Sequence, residues 1–249
     1  MSLLGLQSAV AAIIRSPRRT YDWNPEFFLK DFELAPDERK IVLKLSRHEE
    51  LNKYGKDQAK GRWEIMLRHC DRVPFFVPDR VLRNIWFDLF EPRHLYAKSD
   101  LGGYFESSLL FLEFLQTDKD ARKRLKRSAP FFIFDIIAFE IAELELVRPL
   151  LQDPPLHAKS VLTHPHFRIV ELTFDIPALI TDPDIENRPE FERPLSLVFV
   201  RDPQEMGPRI YEITSPMRAF LKDQLADAQA NPPTEAMQAD LVTMRLMQA

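Results

Sequence analysis

The stretch 129–147, APFFIFDIIAFEIAELELV, constrains this chain most. It has helix length, and no Gly or Pro follows Pro130, which stands where a helix can begin. At about 100° per residue, Phe134, Ile137, Ile141 and Leu144 share one apolar face, while Phe131, Phe132, Phe139 and Leu146 cover much of the other. A helix apolar nearly all round must be buried in protein or in a bilayer. Asp135, Glu140, Glu143 and Glu145 leave no uncharged run long enough to span a membrane, so the stretch predicts the central helix of a helical domain.

The rest of the chain must supply what packs around it. Of 249 residues, 45% are hydrophobic and 29% charged, a balance that folds rather than stays disordered. The formal net charge of −4 argues against a protein that lives on nucleic-acid phosphates. Cys70 is the single cysteine, which excludes an intrachain disulfide and a cysteine-based zinc or iron–sulfur site and suits a cytoplasmic protein. With 6 glycines against 20 prolines, no GxGxxG or Walker pattern occurs. The opening MSLLGLQSAVAAII lacks the basic start of a secretory signal, and Arg15, Arg18 and Arg19 follow its apolar run, so a short amphipathic helix or docking arm is expected.

Residues 1–34 read as an N-terminal arm whose Trp23, Phe27, Phe28 and Phe32 are expected to fold back on the chain itself. Residues 35–150 read as the helical domain. The segment 34–39, LAPDER, starts a helix with Pro36 and the acids Asp37 and Glu38 in its first turn. Gly55 is expected to end or bend that helix, and Trp63, Ile65, Met66 and Leu67 carry the next one towards Cys70. Pro74 and Pro78 interrupt, Asp79 opens a helix through Leu82, Ile85, Trp86 and Leu89, and Pro92 stops it. After Gly102 and Gly103 comes an apolar helix over 104–115. The aromatic load around Trp86 and Phe111 predicts an exposed apolar patch that docks a partner subunit. The run 119–127 holds Lys119, Arg122, Lys123, Arg124, Lys126 and Arg127; such a run is a solvated face unless an acidic partner docks on it.

Pro149, Pro154 and Pro155 mark a linker, and the character then changes. Residues 167–174, FRIVELTF, 195–200, LSLVFV, and 209–213, RIYEI, read as three strands. Thr214 or Ser215 caps a helix with Met217, Phe220, Leu221 and Leu225 on one side. The tail 231–249 predicts one more amphipathic helix through Met237, Leu241, Met244 and Met247. The expected fold class is therefore α+β, a helical domain followed by a small three-stranded, winged-helix-like domain over 160–230.

Catalytic signals are weak. Glu91 and His94 have the Glu-x-x-His spacing of di-iron bundles, but the motif occurs once and contains Pro92. His164 and His166 share one side of an extended segment, too few donors to fill a metal's coordination sphere. Asp135, between Phe131 and Phe139, must be hydrogen-bonded, ion-paired or protonated, and an arginine of a neighbouring helix is the expected partner. No nucleophile elbow, Cys–His pair or two-carboxylate constellation occurs, so the chain does not read as an enzyme.

Two groups of residues carry a resemblance. One is Pro130, Asp135, Phe139, Glu140 and Ala142, preceded by Phe111, Phe114 and Leu115 on a helix. The other is the strand 195–200 running into Arg201, a short further strand, then 217–221. Together, over most of 30–228, they resemble the accessory subunits that partner TIM-barrel multinuclear iron oxidases in the making of ribosomal peptide natural products of the methanobactin and 3-thiaglutamate types. The arm and the stretch 33–62 look more like the 3-thiaglutamate type. The resemblance implies that the helical domain packs on the iron enzyme as a heterodimer and that the iron belongs to that partner, with no cofactor in this chain. It also implies that the β-plus-helix unit takes up a precursor peptide as an added strand, whose cysteine the oxidase modifies. The acidic, proline-rich segment 175–194 departs from a simple hairpin between the first two strands.

Elementary physics suits that role, because an edge strand offers unpaired N–H and C=O groups to an extended peptide. The expected peptide site is Arg209, Ile210, Tyr211, Glu212 and Ile213 on the third strand, with Met217, Phe220 and Leu221 on the following helix lining side-chain pockets. Two rival readings stand beside it: a DNA-binding winged-helix regulator and a helical-bundle metalloenzyme. Neither nucleic acid nor membrane is an expected partner.

Overall fold

The computed structural model describes residues 6–11, 29–89, 104–147, 161–162, 166–201, 207–226 and 232–247. The chain gathers into two compact units, Met1–Ala129 and Pro130–Ala249. The boundary falls ahead of the apolar stretch, not near residue 150. That stretch therefore belongs with the strands and is not the centre of the helical unit.

The first unit holds α1 (Pro36–Ser46), α2 (Glu49–Arg68), the single turn α3 (Val73–Phe76), α4 (Asp79–Leu89), α5 (Tyr104–Thr117) and α6 (Lys119–Ser128). Pro36 opens α1, and Glu38 reaches back to accept from the Ala35 N–H at 2.9 Å. Helix α2 runs unbroken through Gly55. A glycine weakens a helix by about 1 kcal/mol and does not stop it when other residues anchor it. Here Trp63 and Met66 of α2 are buried, and Trp63 meets Trp86 of α4 at 5.3 Å and Phe111 of α5 at 6.4 Å between ring centroids. The Arg83 guanidinium lies 5.5 Å from the centre of the Trp63 ring. Trp86 and Phe111 keep 4% and 1% of their surface, so these two rings are core, packed on Trp63, and do not themselves form the apolar patch expected around them. In the arm, Ala9 and Leu29 bury with Val42 of α1, packed by Leu6, Val10, Phe32 and Leu34, so its described parts fold back on the chain. Trp23, Phe27, Phe28, Pro92, Gly102 and Gly103 lie outside the described residues.

A Cβ added at Gly61, also inside α2, would meet nothing within 4 Å. Gly61→Ala is expected to stabilise the unit by about 1 kcal/mol through the lower entropy of its unfolded chain, read as a rise of a few degrees in a thermal melt.

The second unit is mixed α and β. It holds α7 (Ile133–Val147), β1 (Phe167–Leu172), α8 (Ile176–Thr181), β2 (Leu195–Arg201), β3 (Pro208–Ile213), α9 (Ser215–Leu225) and α10 (Glu235–Thr243). The strands form one antiparallel sheet in the order β1-β2-β3. Register puts Phe167, Ile169, Val198, Val200, Tyr211 and Ile213 on one face. They pack with Met217, Phe220 and Leu221 of α9 and with Leu241, Met244 and Leu246 of the tail. The opposite face takes α7, where Phe139 meets Phe199 edge-on at 5.0 Å. Sheet burial on both faces explains why 195–200 is a near-continuous apolar run, broken by Ser196, rather than an alternating one. The segment 175–194 holds α8 and two 3₁₀ turns, and its Phe191 is buried against Phe132 and Phe174.

Candidate functional site

Strand β3 is a sheet edge: among the described residues no strand pairs with its far side. The ladder decides which of its groups face outward. The Arg201 N–H donates to the His166 carbonyl at 3.0 Å, which makes that a hydrogen-bonded pair. In an antiparallel ladder such pairs alternate with non-bonded ones. Leu197, Phe199 and Arg201 therefore direct their backbone groups at β1, and Ser196, Val198 and Val200 direct theirs at β3. Ile213, Tyr211 and Arg209, which oppose the latter three, use their N–H and C=O groups inside the sheet. Ile210 and Glu212 point theirs at the free edge. Pro208 stands in the same outward phase, where its missing N–H costs no ladder bond.

The side chains of Ile210 and Glu212 lie on the α7 side of the sheet, with Ile210 36% exposed, while Arg209 and Tyr211 are half-buried on the other side. Arg193 clamps this edge. Its Nη1 donates to both Glu212 carboxylate oxygens at 2.9 and 3.1 Å, and its Nε and Nη2 donate to Asp175 Oδ2 at 3.0 and 2.6 Å. Asp175 is buried and caps α8 by accepting from the Ala178 N–H at 3.0 Å. Hydrogen bonding to Asp175, with Glu212 adding to it, raises the Arg193 pKa further and keeps the guanidinium charged. One arginine thus ties the segment after β1 to the end of β3.

Met217, Phe220 and Leu221 do not line a groove. All three are buried, because the face of α9 that carries them is the one that covers the sheet. Thr214 is the cap of α9, accepting from the Met217 N–H at 3.4 Å. Of the expected peptide site, Ile210 and Glu212 offer an outward backbone, Arg209, Tyr211 and Ile213 hold the sheet, and the three helix residues are core.

Asp135 has a different partner from the arginine expected. Its Oδ2 accepts from the Thr173 and Phe174 backbone N–H groups at 2.6 and 2.9 Å, fixing the turn after β1 to α7. Burial raises its pKa, against the lowering effect of those two bonds. Glu171 shifts the other way: the Lys222 ammonium, hydrogen-bonded to it, lowers its pKa, with Arg218 helping. The signs are opposite. Ionised Asp135 costs the fold more than the unfolded chain, so its contribution is fullest below the ordinary aspartate value and falls as pH rises through the raised one. Glu171 contributes above the ordinary glutamate value and loses that as pH falls through its lowered one. In urea melts across the carboxylate range, the stability of the native chain minus that of Asp135→Asn is expected to fall with rising pH, and the difference from Glu171→Gln to grow. Asp135→Ala, which takes the acceptor from the part-buried Phe174 N–H and from the exposed Thr173 N–H, is expected to cost about 1 kcal/mol.

Among the described residues no three His, Cys, Asp or Glu side chains converge as a metal site, and no helix is long and apolar enough to cross a membrane. Glu91, His94 and His164 lie outside the described residues. The Arg193 clamp left no signal in the sequence, because its partners are 18 and 19 residues away on either side. No protein-family model matches the chain, and no curated protein matches its sequence.

Proposed function

We propose that this chain is a non-catalytic accessory subunit that takes up a ribosomally made precursor peptide on β3 as an added strand. It presents that peptide to a partner multinuclear iron oxidase, which modifies a cysteine of it. In this reading the second unit is a winged-helix-like peptide-recognition domain, the chain carries no cofactor, and the iron sits in the partner of a heterodimer. The observation that carries the reading is the open β3 edge, with the backbone groups of Ile210 and Glu212 directed outward. Charge disfavours the DNA-binding alternative. Residues 130–249 hold 10 Lys and Arg against 19 Asp and Glu, a formal −9 on the unit that would serve as the winged helix.

Strand β1 offers outward groups too, at Ile169 and Glu171, so the experiment compares the two edges. Amide exchange is followed residue by residue on the full chain, with and without a precursor peptide encoded beside it. Protection gained at Ile210 and Glu212, with Ile169 and Glu171 unchanged, is the expected result. Protection on β1 alone, or on neither edge, defeats the reading.

A further inference from the structure

The charge run on α6 has a geometry that its sequence only hinted at. Ala121 and Leu125 are buried, and Lys119, Lys123, Lys126 and Arg127 are exposed on the opposite side of the helix. At about 100° per residue those four fall within roughly a 100° arc, a stripe about 12 Å long at a rise of about 1.5 Å per residue. Among the described residues no carboxylate pairs with any of the four, whereas their neighbour Arg124 is taken by Asp88 at 2.7 Å. Within the stripe Lys119 and Lys123, and Lys123 and Arg127, are like charges four residues apart, each pair costing the helix about 0.3 kcal/mol. Lys119 also stands at the N-terminal end, where the macrodipole disfavours a cation. Lys126 and Arg127 stand in the last turn, where the same macrodipole favours them, so the local cost falls on Lys119 and Lys123.

We infer that this stripe is a docking surface for a compact acidic patch on a partner polypeptide. The unit that carries it holds 24 Lys and Arg against 19 Asp and Glu, a formal +5 in a chain that is −4 as a whole. Beside the stripe, on the flank of α6 nearer α4, Asp88, Asp118 and Asp120 line a small cavity of about 220 Å³ with Arg124. With those carboxylates on one flank, the stripe offers four cations over about 12 Å, a match for a short cluster of Asp or Glu side chains rather than for an extended phosphate backbone. The inference stands apart from the β3 reading, since it concerns the other unit and no residue of the sheet.

The experiment titrates the full chain, at low and at physiological salt, into a fluorescein-labelled oligo-glutamate peptide and into a labelled DNA duplex of equal charge. Two charge-reversed variants are compared, Lys123→Glu/Arg127→Glu in the stripe and Lys40→Glu/Arg80→Glu at exposed cations elsewhere in the unit. The stripe variant is expected to bind the peptide about tenfold more weakly, and the other to change by less than about twofold. Reversal turns the Lys119–Lys123 pair into an attractive one, while the two introduced glutamates repel each other as the native cations did, so the stripe variant is expected to melt within a few degrees of the native chain, which separates lost docking from lost fold. Equal losses in both variants, tighter binding of the duplex, or no binding of the peptide by the native chain at low salt each overturn the inference.

Discussion

Tyr211→Pro is expected to unfold residues 130–249, whereas Ile210→Pro is expected to leave them folded and to weaken peptide capture at least about tenfold. The two positions are adjacent and differ only in phase. Tyr211 opposes Val198 in a hydrogen-bonded pair, so its N–H is spent inside the sheet. Proline there deletes that donor, strands a carbonyl on the fully buried Val198 and forces the strand's φ, for a cost of about 3 kcal/mol or more. That is a large share of the roughly 5–15 kcal/mol that holds a typical domain together. At Ile210 the lost N–H faced the free edge, a place where sheets tolerate proline. A peptide strand added to β3 would lose one of its two N–H donors and part of the flat edge it needs. Far-UV circular dichroism reads the fold, and tryptophan emission provides an internal control, since Trp23, Trp63 and Trp86 all precede residue 130. An Ile210→Pro chain that folds and binds peptide as before removes β3 as the docking edge. A Tyr211→Pro chain that keeps its sheet refutes the assigned phase.

Phe199→Ala is expected to cost about 3–5 kcal/mol, the largest effect of any single truncation in the second unit. Phe199 is fully buried at the middle of the central strand, and its ring meets Phe139 of α7 at 5.0 Å with planes 75° apart. Truncation removes the ring's transfer free energy, leaves a cavity between sheet and helix that neither can close, and breaks an edge-to-face pair. Phe199→Leu keeps most of the volume and is expected to cost less than half as much. Urea denaturation followed by far-UV circular dichroism measures both. Phe220→Ala, on the other face of the sheet, is expected to behave as a core truncation too, because its ring is 7% exposed. A Phe220→Ala chain of native stability but lost peptide affinity would instead place that ring in a groove.

Local patterns in the sequence sufficed for the elements. The alternation and β-branching of 167–174, the largely apolar run at 195–200, the Pro36 start and the Thr214 cap each act within a few residues, and each element formed at its pattern, β1 ending two residues before its own. The pairing of β2 with β3 follows from a connection of six residues, 202–207, whereas β1 and β2 pair across the 22 residues 173–194. What the tertiary structure alone decided is partnership. The apolar face of 133–147 looks the same whether it covers helices or a sheet, and only folding put Phe139 on Phe199. Met217, Phe220 and Leu221 read equally well as groove or core, and the need to cover Phe167, Val198 and Val200 settled it. Asp135 announced that it needed a partner but could not name two backbone amides 38 and 39 residues away. The outward phase of Ile210 and Glu212 depends on a ladder whose register no residue of β3 sets by itself. Hydrophobic patterning is local and fixes what an element is; which surface it covers, and which of its backbone groups stay free, depends on contacts distant in the chain.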